Sequence, residues 1–345
     1  MSAPKIRVLV TDDSLFMRAA IKKLLVSDPR FDVIGEAKDG REAVDKVQAL
    51  RPDVCTMDFN MPNLDGAGAV REIMRIHPTP VVMLSAHTRE GAKETFEALA
   101  AGAVDFLAKP SGEVSAELAR VGVVLREKVA AAAHARPMPM AHAQRPAPPP
   151  RITMPRAVGL VGPKIVVVGV STGGPAALGR FLPHFPGDTS LAIVVVQHLP
   201  AGFTAALAER LDSMCAIRVR EATDGDRPEA GLALVAPGDR HLEFLADGTL
   251  RTTEDPEVNG VRPAADVTMR SAASVYGRRV VGVVMTGMGK DGAEGMRLIK
   301  TAGGATLVQD EASSVIWGMP RACVDAGCAD RVVSLDALAD AVRSA

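Results

Sequence analysis

Aromatic residues are scarce in this chain. Phe, Tyr and Trp make up 3% of its 345 residues, with one Trp and one Tyr. So few rings argue against a stacking platform for single-stranded nucleic acid. Neither sign of charge is in excess. Lys and Arg number 40 against 41 Asp and Glu, a formal net charge of −1, so no basic footprint marks a polyanionic partner and no nucleic acid is expected. The only cysteines are Cys55, Cys215, Cys323 and Cys328, with no C-x-x-C pair and no metal-ligand spacing to His. Reduced thiols in a cytoplasmic protein are the expected state. No apolar run reaches the ~18 residues of a membrane span, so insertion in a membrane is not expected. The N-terminal MSAPKIRVLV runs straight into a strand pattern, which predicts no secretory signal.

What is present is apolar material in two blocks. Hydrophobic content is 47% and charged content 23%, and the length suits two domains at ~150 residues each. Residues 6–126 alternate apolar runs with amphipathic stretches. Strands are predicted at Ile6–Thr11, Asp32–Glu36, Asp53–Met57, Pro80–Leu84 and Val104–Leu107, with helices such as Leu15–Val26 and Arg41–Leu50. Repeated strand-then-helix units predict a doubly wound parallel sheet. A last helix at about Val114–Ala133 runs into a Pro/Ala-rich stretch without apolar period. The chain therefore divides into a first domain over 1–126, a linker over 127–163 and a second domain over 164–345. In the second block, strands are predicted at Ile165–Val170, Leu191–Gln197, Leu232–Ala236, Val280–Met285, Thr306–Val308 and Arg331–Ser334. Residues 217–262 read as a hairpin-rich insertion, with turn signals at Asp224-Gly225, Pro237-Gly238, Asp247-Gly248 and Asn259-Gly260.

Ligands of open parallel sheets sit at the carboxyl ends of the strands. In the first block those ends carry Asp12 and Asp13, Asp58, Ser85 and Lys109. Three carboxylates on one edge repel each other unless a hard cation lies between them, and Mg²⁺ suits such a set. A carboxylate held there can attack a phosphoryl group, with Ser85 and Lys109 meeting the transferred charge. Singly, each residue also has an ordinary reading, as a helix cap or a turn Asp. Taken together on the segments VTDDS, MDFNMPNLDG, LSA and FLAKP, residues 6–126 resemble the receiver domain of a bacterial response regulator. The resemblance implies a flavodoxin-like fold, Asp58 as phospho-acceptor, Asp12, Asp13 and Asp58 around Mg²⁺, and a histidine kinase as phosphodonor. It also implies what is often a cis Lys109-Pro110 bond, and Phe106 matches the position of an aromatic switch, where a plain core Phe fits equally well.

The second block carries a nucleophile pattern. IVVVGVSTGGP reads as a buried strand, a sharp Gly-rich turn and a helix opened by Pro175, with Ser171 in the turn. Gly169-Val170-Ser171-Thr172-Gly173 matches the G-x-S-x-G elbow, although a phosphate-binding or merely tight turn fits the same string. Free N–H groups near Thr172 and Met288 are the candidates to hold an oxyanion. A serine nucleophile needs a base. Of seven histidines, His134 and His142 fall in the linker, His77 and His87 in the first domain, His184 after a helix and His241 at a hairpin strand. His198 ends the apolar strand AIVVVQHL, the same kind of edge as Ser171. Asp291, in MTGMGKDG, is the candidate to orient the imidazole, its plain alternative being a helix N-cap. Replacement of His241 is expected to be mild beside that of His198. A nucleotide-binding module is the rival reading, but neither G-x-G-x-x-G nor a phosphate-binding Lys follows the turn.

The order Ser, His, Asp differs from the Ser, acid, His order of α/β-hydrolases. This order, with QHLPAGFTAALAERLD, VAPGDRHLEF and VNGVRPAADVTMRS, resembles the catalytic domain of CheB-type chemotaxis protein-glutamate methylesterases. That resemblance implies a doubly wound α/β methylesterase domain with a β-hairpin insertion, following the receiver and linker. It implies hydrolysis of glutamate γ-methyl esters on methyl-accepting chemoreceptors, with deamidation of receptor glutamines. Mg²⁺ then serves receiver phosphorylation only and the esterase step needs no cofactor. Phosphorylation of Asp58 is expected to raise the activity.

Overall fold

The computed structural model describes residues 4–85, 89–109, 115–135 and 163–345. His87, His142, Pro110 (and with it the expected cis bond) and the linker from 136 to 162 lie outside the described residues. The chain divides into two compact units, Met1–Ala143 and Gln144–Ala345.

The first unit comprises β1 (Ile6–Thr11), α1 (Leu15–Val26), β2 (Phe31–Ala37), α2 (Gly40–Leu50), β3 (Val54–Asp58), α3 (Gly66–Ile76), β4 (Val81–Ser85), α4 (Arg89–Ala101), β5 (Asp105–Ala108) and α5 (Ser115–Ala133). The helix α5 spans residue 126, the expected end of the first domain, and runs on to Ala133, where the composition changes. The sheet order is β2-β1-β3-β4-β5, all parallel. Central strands of such a sheet are covered on both faces and read as continuous apolar runs. Accordingly, all of β3 and β4 is buried. Short polar side chains start the helices: Ser14 accepts from the Met17 N–H, Asp39 from Glu42 and Asp65 from Gly68. On α2 the buried residues Gly40, Ala43, Val44 and Val47 follow one helical face.

The second unit comprises β6 (Lys164–Val170), α6 (Gly174–Phe181), β7 (Leu191–Gln197), α7 (Phe203–Asp212), β8 (Arg218–Glu221), β9 (Leu232–Val235), β10 (His241–Phe244), β11 (Leu250–Thr253), α8 (Ala265–Tyr276), β12 (Val280–Val284), α9 (Ala293–Thr301), β13 (Ala305–Gln309), α10 (Met319–Asp325), β14 (Arg331–Val333) and α11 (Leu335–Arg343). Seven strands form one parallel sheet in the order β14-β13-β12-β6-β7-β9-β8. The chain leaves β6 toward β7 and later returns to its other side as β12. The switch in strand order therefore lies at β6, where ligands of such sheets bind.

The insertion is less hairpin-rich than the turn signals suggest. β8 and β9 are parallel members of the main sheet. Among the described residues two full strands make a hairpin only at β10–β11, which turns at Asp247-Gly248, and the Val258–Val261 bridge closes a tighter turn at Asn259-Gly260. β8 hid because it is an edge strand: in Arg-Val-Arg-Glu only Val219 is buried. The hairpin packs Leu242, Phe244 and Leu250 against Met269, Ala272 and Ala273 of α8.

α8 lies close to β6. A Cβ at Gly169 would stand 2.7 Å from the Ala265 Cβ, at the first residue of that helix. We expect Gly169→Ala to destabilise the second unit by about 1–3 kcal/mol, the usual cost of overpacking. Trp317 is the only Trp and belongs to this unit, so its fluorescence in a urea titration of the full chain reads the effect.

Candidate functional site

Ser171 and His198 follow register partners. Val170 ends β6 opposite Gln197, which ends β7, and the His198 N–H donates to the Val170 carbonyl at 3.1 Å. The two side chains thus leave neighbouring strands at the same edge. The turn after Ser171 needs glycine twice. Gly173 has φ 77°, and a Cβ at Gly174 would stand 2.0 Å from Gln197 Oε1. Gln197, 1% exposed, donates from Nε2 to the Ser171 carbonyl at 2.9 Å and so braces the elbow from beneath.

Asp291 arrives from the other side of β6, after β12. Its Oδ2 lies 2.7 Å from His198 Nε2. The same oxygen accepts from the Ala265 N–H at 2.6 Å, while Oδ1 accepts from the Asp266 N–H and from Asn259 Nδ2, both at 3.1 Å. Both readings of this residue are therefore combined. It is a helix cap, but of α8 rather than α9, and it is also the partner of the imidazole. Burial opposes its ionisation, yet the bond and charge of His198 and the two backbone N–H groups hold its carboxyl below the ordinary range. With the proton on Nε2 facing this carboxylate, the lone pair of the imidazole is on Nδ1. Among the described residues no hydrogen bond joins Ser171 Oγ to the ring.

Ser171 also has a wall behind it. Its N–H donates to the Thr286 carbonyl at 3.0 Å, and a Cβ on Gly287 would stand 2.8 Å from the Ser171 Cβ. Thr286 Oγ1 donates to the Thr172 carbonyl at 2.9 Å, which ties the two loops together. Thr172 is buried and Met288 half-buried, on the two loops that flank the serine. Sequence reasoning passed over Gln197, Asn259, Asp266, Thr286 and Gly287. Their signals were the strand-end Gln and the Asn-Gly turn, both read only as local structure.

His241 is 1% exposed and fully engaged. The Ala264 N–H donates to its Nδ1 at 3.2 Å, so the proton is on Nε2, which donates to the Pro256 carbonyl at 3.1 Å. It staples the segment that leads into α8, so its replacement carries a structural cost apart from any effect on hydrolysis.

In the first unit the expected strand-end residues converge. Carboxylate oxygens of Asp12, Asp13 and Asp58 lie within 4.8 Å of one another. Lys109 Nζ lies 2.8 Å from Asp12 Oδ2 and 2.8 Å from Asp58 Oδ1. Asp12 Oδ2 is buried and, apart from the Lys109 ammonium, meets no donor, so it can also face a cation. Burial pushes the Asp58 carboxyl above its ordinary range, opposed by Lys109. Burial also works against the charge on Lys109, but its two carboxylate partners outweigh this and raise its pKa. Ser85 is buried, with its hydroxyl donating to the Gly91 carbonyl of α4 at 2.9 Å. Phe106 is 4% exposed. All four cysteines are free and buried, and no helix among the described residues is long and apolar enough to cross a membrane.

Residues 8–118 match the response regulator receiver domain family, and residues 166–342 match the CheB methylesterase family. The chain is 48% identical over 350 residues to the protein-glutamate methylesterase/protein-glutamine glutaminase of Symbiobacterium thermophilum, covering 99% of this chain and 97% of that one. It is 44% identical over 357 residues to the enzyme of the same name from Pyrococcus abyssi, covering 99% and 94%. The crystal structure of the Thermotoga maritima CheB methylesterase catalytic domain is similar to the second unit. That match has 40% identity and a TM-score of 0.52, covering 53% of this chain and 99% of that one. The protein thus joins a response-regulator receiver to a parallel α/β unit of methylesterase type. It belongs to the CheB methylesterase family.

From the bonds at His241 we expect His241→Gln to lower the stability of the second unit by about 1–3 kcal/mol, the cost of leaving buried backbone partners unmet. Urea titration followed by Trp317 fluorescence reads this. An unchanged midpoint would show that the staple carries no stability.

Proposed function

We propose that this protein is a phosphorylation-activated serine esterase. It hydrolyses glutamate γ-methyl esters on methyl-accepting chemoreceptors, with release of methanol, and deamidates receptor glutamines. The observation that carries the reading is the 2.7 Å bond between His198 Nε2 and Asp291 Oδ2, beside a serine on the adjacent strand end. The names of the relatives supply the substrate class.

Ser171 Oγ attacks the ester carbonyl while His198 Nδ1 takes its proton. Asp291 stays ionised and stabilises the imidazolium. N–H groups near Thr172 and Met288 receive the oxyanion. The imidazolium then protonates the departing methoxide, and an acyl-enzyme remains on Ser171. Water, deprotonated by the same nitrogen, cleaves that ester and leaves glutamate. A glutamine substrate follows the same course, with ammonia leaving in place of methanol. Ser171→Ala is expected to reduce methanol release from methylated receptor fragments by many orders of magnitude, on the scale of about 10⁶ in kcat. A folded variant with more than a few per cent of activity would remove Ser171 from the mechanism.

In the receiver, Asp58 accepts a phosphoryl group from a histidine kinase. Asp12, Asp13 and Asp58 would hold Mg²⁺, which when bound neutralises phosphoryl oxygens. Lys109 pairs with the charge that arrives, about −1.5 to −2 at pH 7 for comparable phosphoryl groups. Ser85 exchanges its bond to Gly91 for one to the phosphoryl group. A cytoplasmic location suits the kinase, the receptor tails and the thiols. We expect wild-type activity to rise roughly 5–150-fold with a small-molecule phosphodonor and Mg²⁺, the range of ordinary coupling energies. Asp58→Asn should stay at the basal rate. An Asp58→Asn variant that is activated to the same degree would place the switch elsewhere.

A further inference from the structure

Asn259 is not one of the three residues given the proposed chemistry, yet its side chain meets two buried acids. Nδ2 lies 3.1 Å from Asp291 Oδ1 and 2.8 Å from Asp266 Oδ2. Both acceptors are carboxylate oxygens, so the NH₂ end of the amide must face them. Asp266, 5% exposed, stands in the first turn of α8, and its other oxygen accepts from the Gly295 N–H of α9 at 2.7 Å. Two neighbouring carboxyls in a poorly solvated place repel each other when both ionise. Burial, reinforced by the charge of Asp291 and opposed by the Gly295 N–H, raises the pKa of Asp266. A donor shared between the two acids lowers the cost of holding them together.

The backbone alone does not account for an Asn here. Asn259 has φ 56° in the turn that the Val258–Val261 pair closes. Glycine or Asn satisfies such a turn equally. Asn259 is exposed as a residue, so its amide could point into water. Instead it folds inward onto Asp291. The segment that carries it is anchored from behind: Arg262 donates to the Glu254 and Asp255 carbonyls, and His241 to that of Pro256.

We infer that Asn259 is a positioning residue that bridges Asp266 to Asp291 and so holds, from the solvent side, the carboxylate that orients His198. This rests on the hydrolase reading above.

The test uses full-length protein with phosphodonor and Mg²⁺. Asn259→Gly keeps the left-handed backbone and removes the amide. Asn259→Asp keeps the shape and turns the donor into an acceptor beside two acids. Methanol release gives kcat and KM, and labelling of Ser171 by a fluorophosphonate reads the nucleophile without receptor. We expect kcat and the labelling rate to fall by about ten- to a hundredfold in Asn259→Gly, the scale of one hydrogen bond to a charged group, and at least as far in Asn259→Asp. KM should stay at the wild-type value, and both variants should stay folded at the assay temperature, although the loss of a donor to two buried acids lowers their melting temperature. Variants that keep wild-type kcat and labelling, or that lose activity only through KM or melting, overturn the inference. Wild-type protein that never labels at Ser171 overturns the hydrolase reading and the inference with it.

Discussion

The carboxylate of Asp291 is the point on which the second unit turns. A buried ionised carboxyl is expensive unless donors surround it. Here four donors do so: His198 Nε2, the Ala265 and Asp266 N–H groups and Asn259 Nδ2. Two of them are free N–H groups at the start of α8, where the helix dipole also favours negative charge. One interaction therefore does two jobs. It ends α8 in a satisfied way and fixes the direction of the imidazole. Gly169 lets α8 come close enough to β6 for this, and the β10–β11 hairpin holds the helix from its other side.

The serine depends on a second, purely steric constraint. Three strand ends crowd around it, and there is little room for any Cβ. Gly174 leaves space for Gln197, and Gly287 leaves space for Ser171 itself. The elbow is thus defined from both sides by backbone. Gln197 below and Thr286 behind bind carbonyls of residues 171 and 172, so the turn has few ways to relax. Rigid support of this kind is what a nucleophile needs if its hydroxyl is to meet a carbonyl at one angle.

Much of this was legible in the sequence because strand ends are easy to read. Long apolar runs such as those of β6 and β7 stop at a polar residue, and in a parallel sheet that residue emerges at the ligand edge. Ser171, His198, Asp12 and Asp58 read as candidates on that basis, and each lies at the end of a parallel strand. What the pattern hid was everything that depends on distant pairing. Asp291 precedes α9 in the chain and reads locally as its cap, but Gly292 takes that place and Asp291 caps α8 instead. Asn259 reads as a turn residue and His241 as a strand start, because their bonds reach residues that no local period connects. β8 was missed for a different reason: an edge strand with one buried side chain carries almost no hydrophobic signal.

The two units apply the same strand-end geometry to different chemistry, and the difference lies in how their carboxylates are satisfied. In the first unit Asp12, Asp13 and Asp58 cluster with fewer donors, and the buried Asp12 Oδ2 meets only the Lys109 ammonium, at 2.8 Å. Their negative charge is met by Lys109 and is open to a further cation. In the second unit each oxygen of Asp291 already accepts two bonds, so its electron pairs are occupied. Asp291 is suited to steady the neighbouring imidazole, in keeping with the proposed proton transfer between His198 and the Ser171 hydroxyl. The number of donors around each carboxylate thus matches the two proposed roles, gathering charge in the first unit and orienting a base in the second.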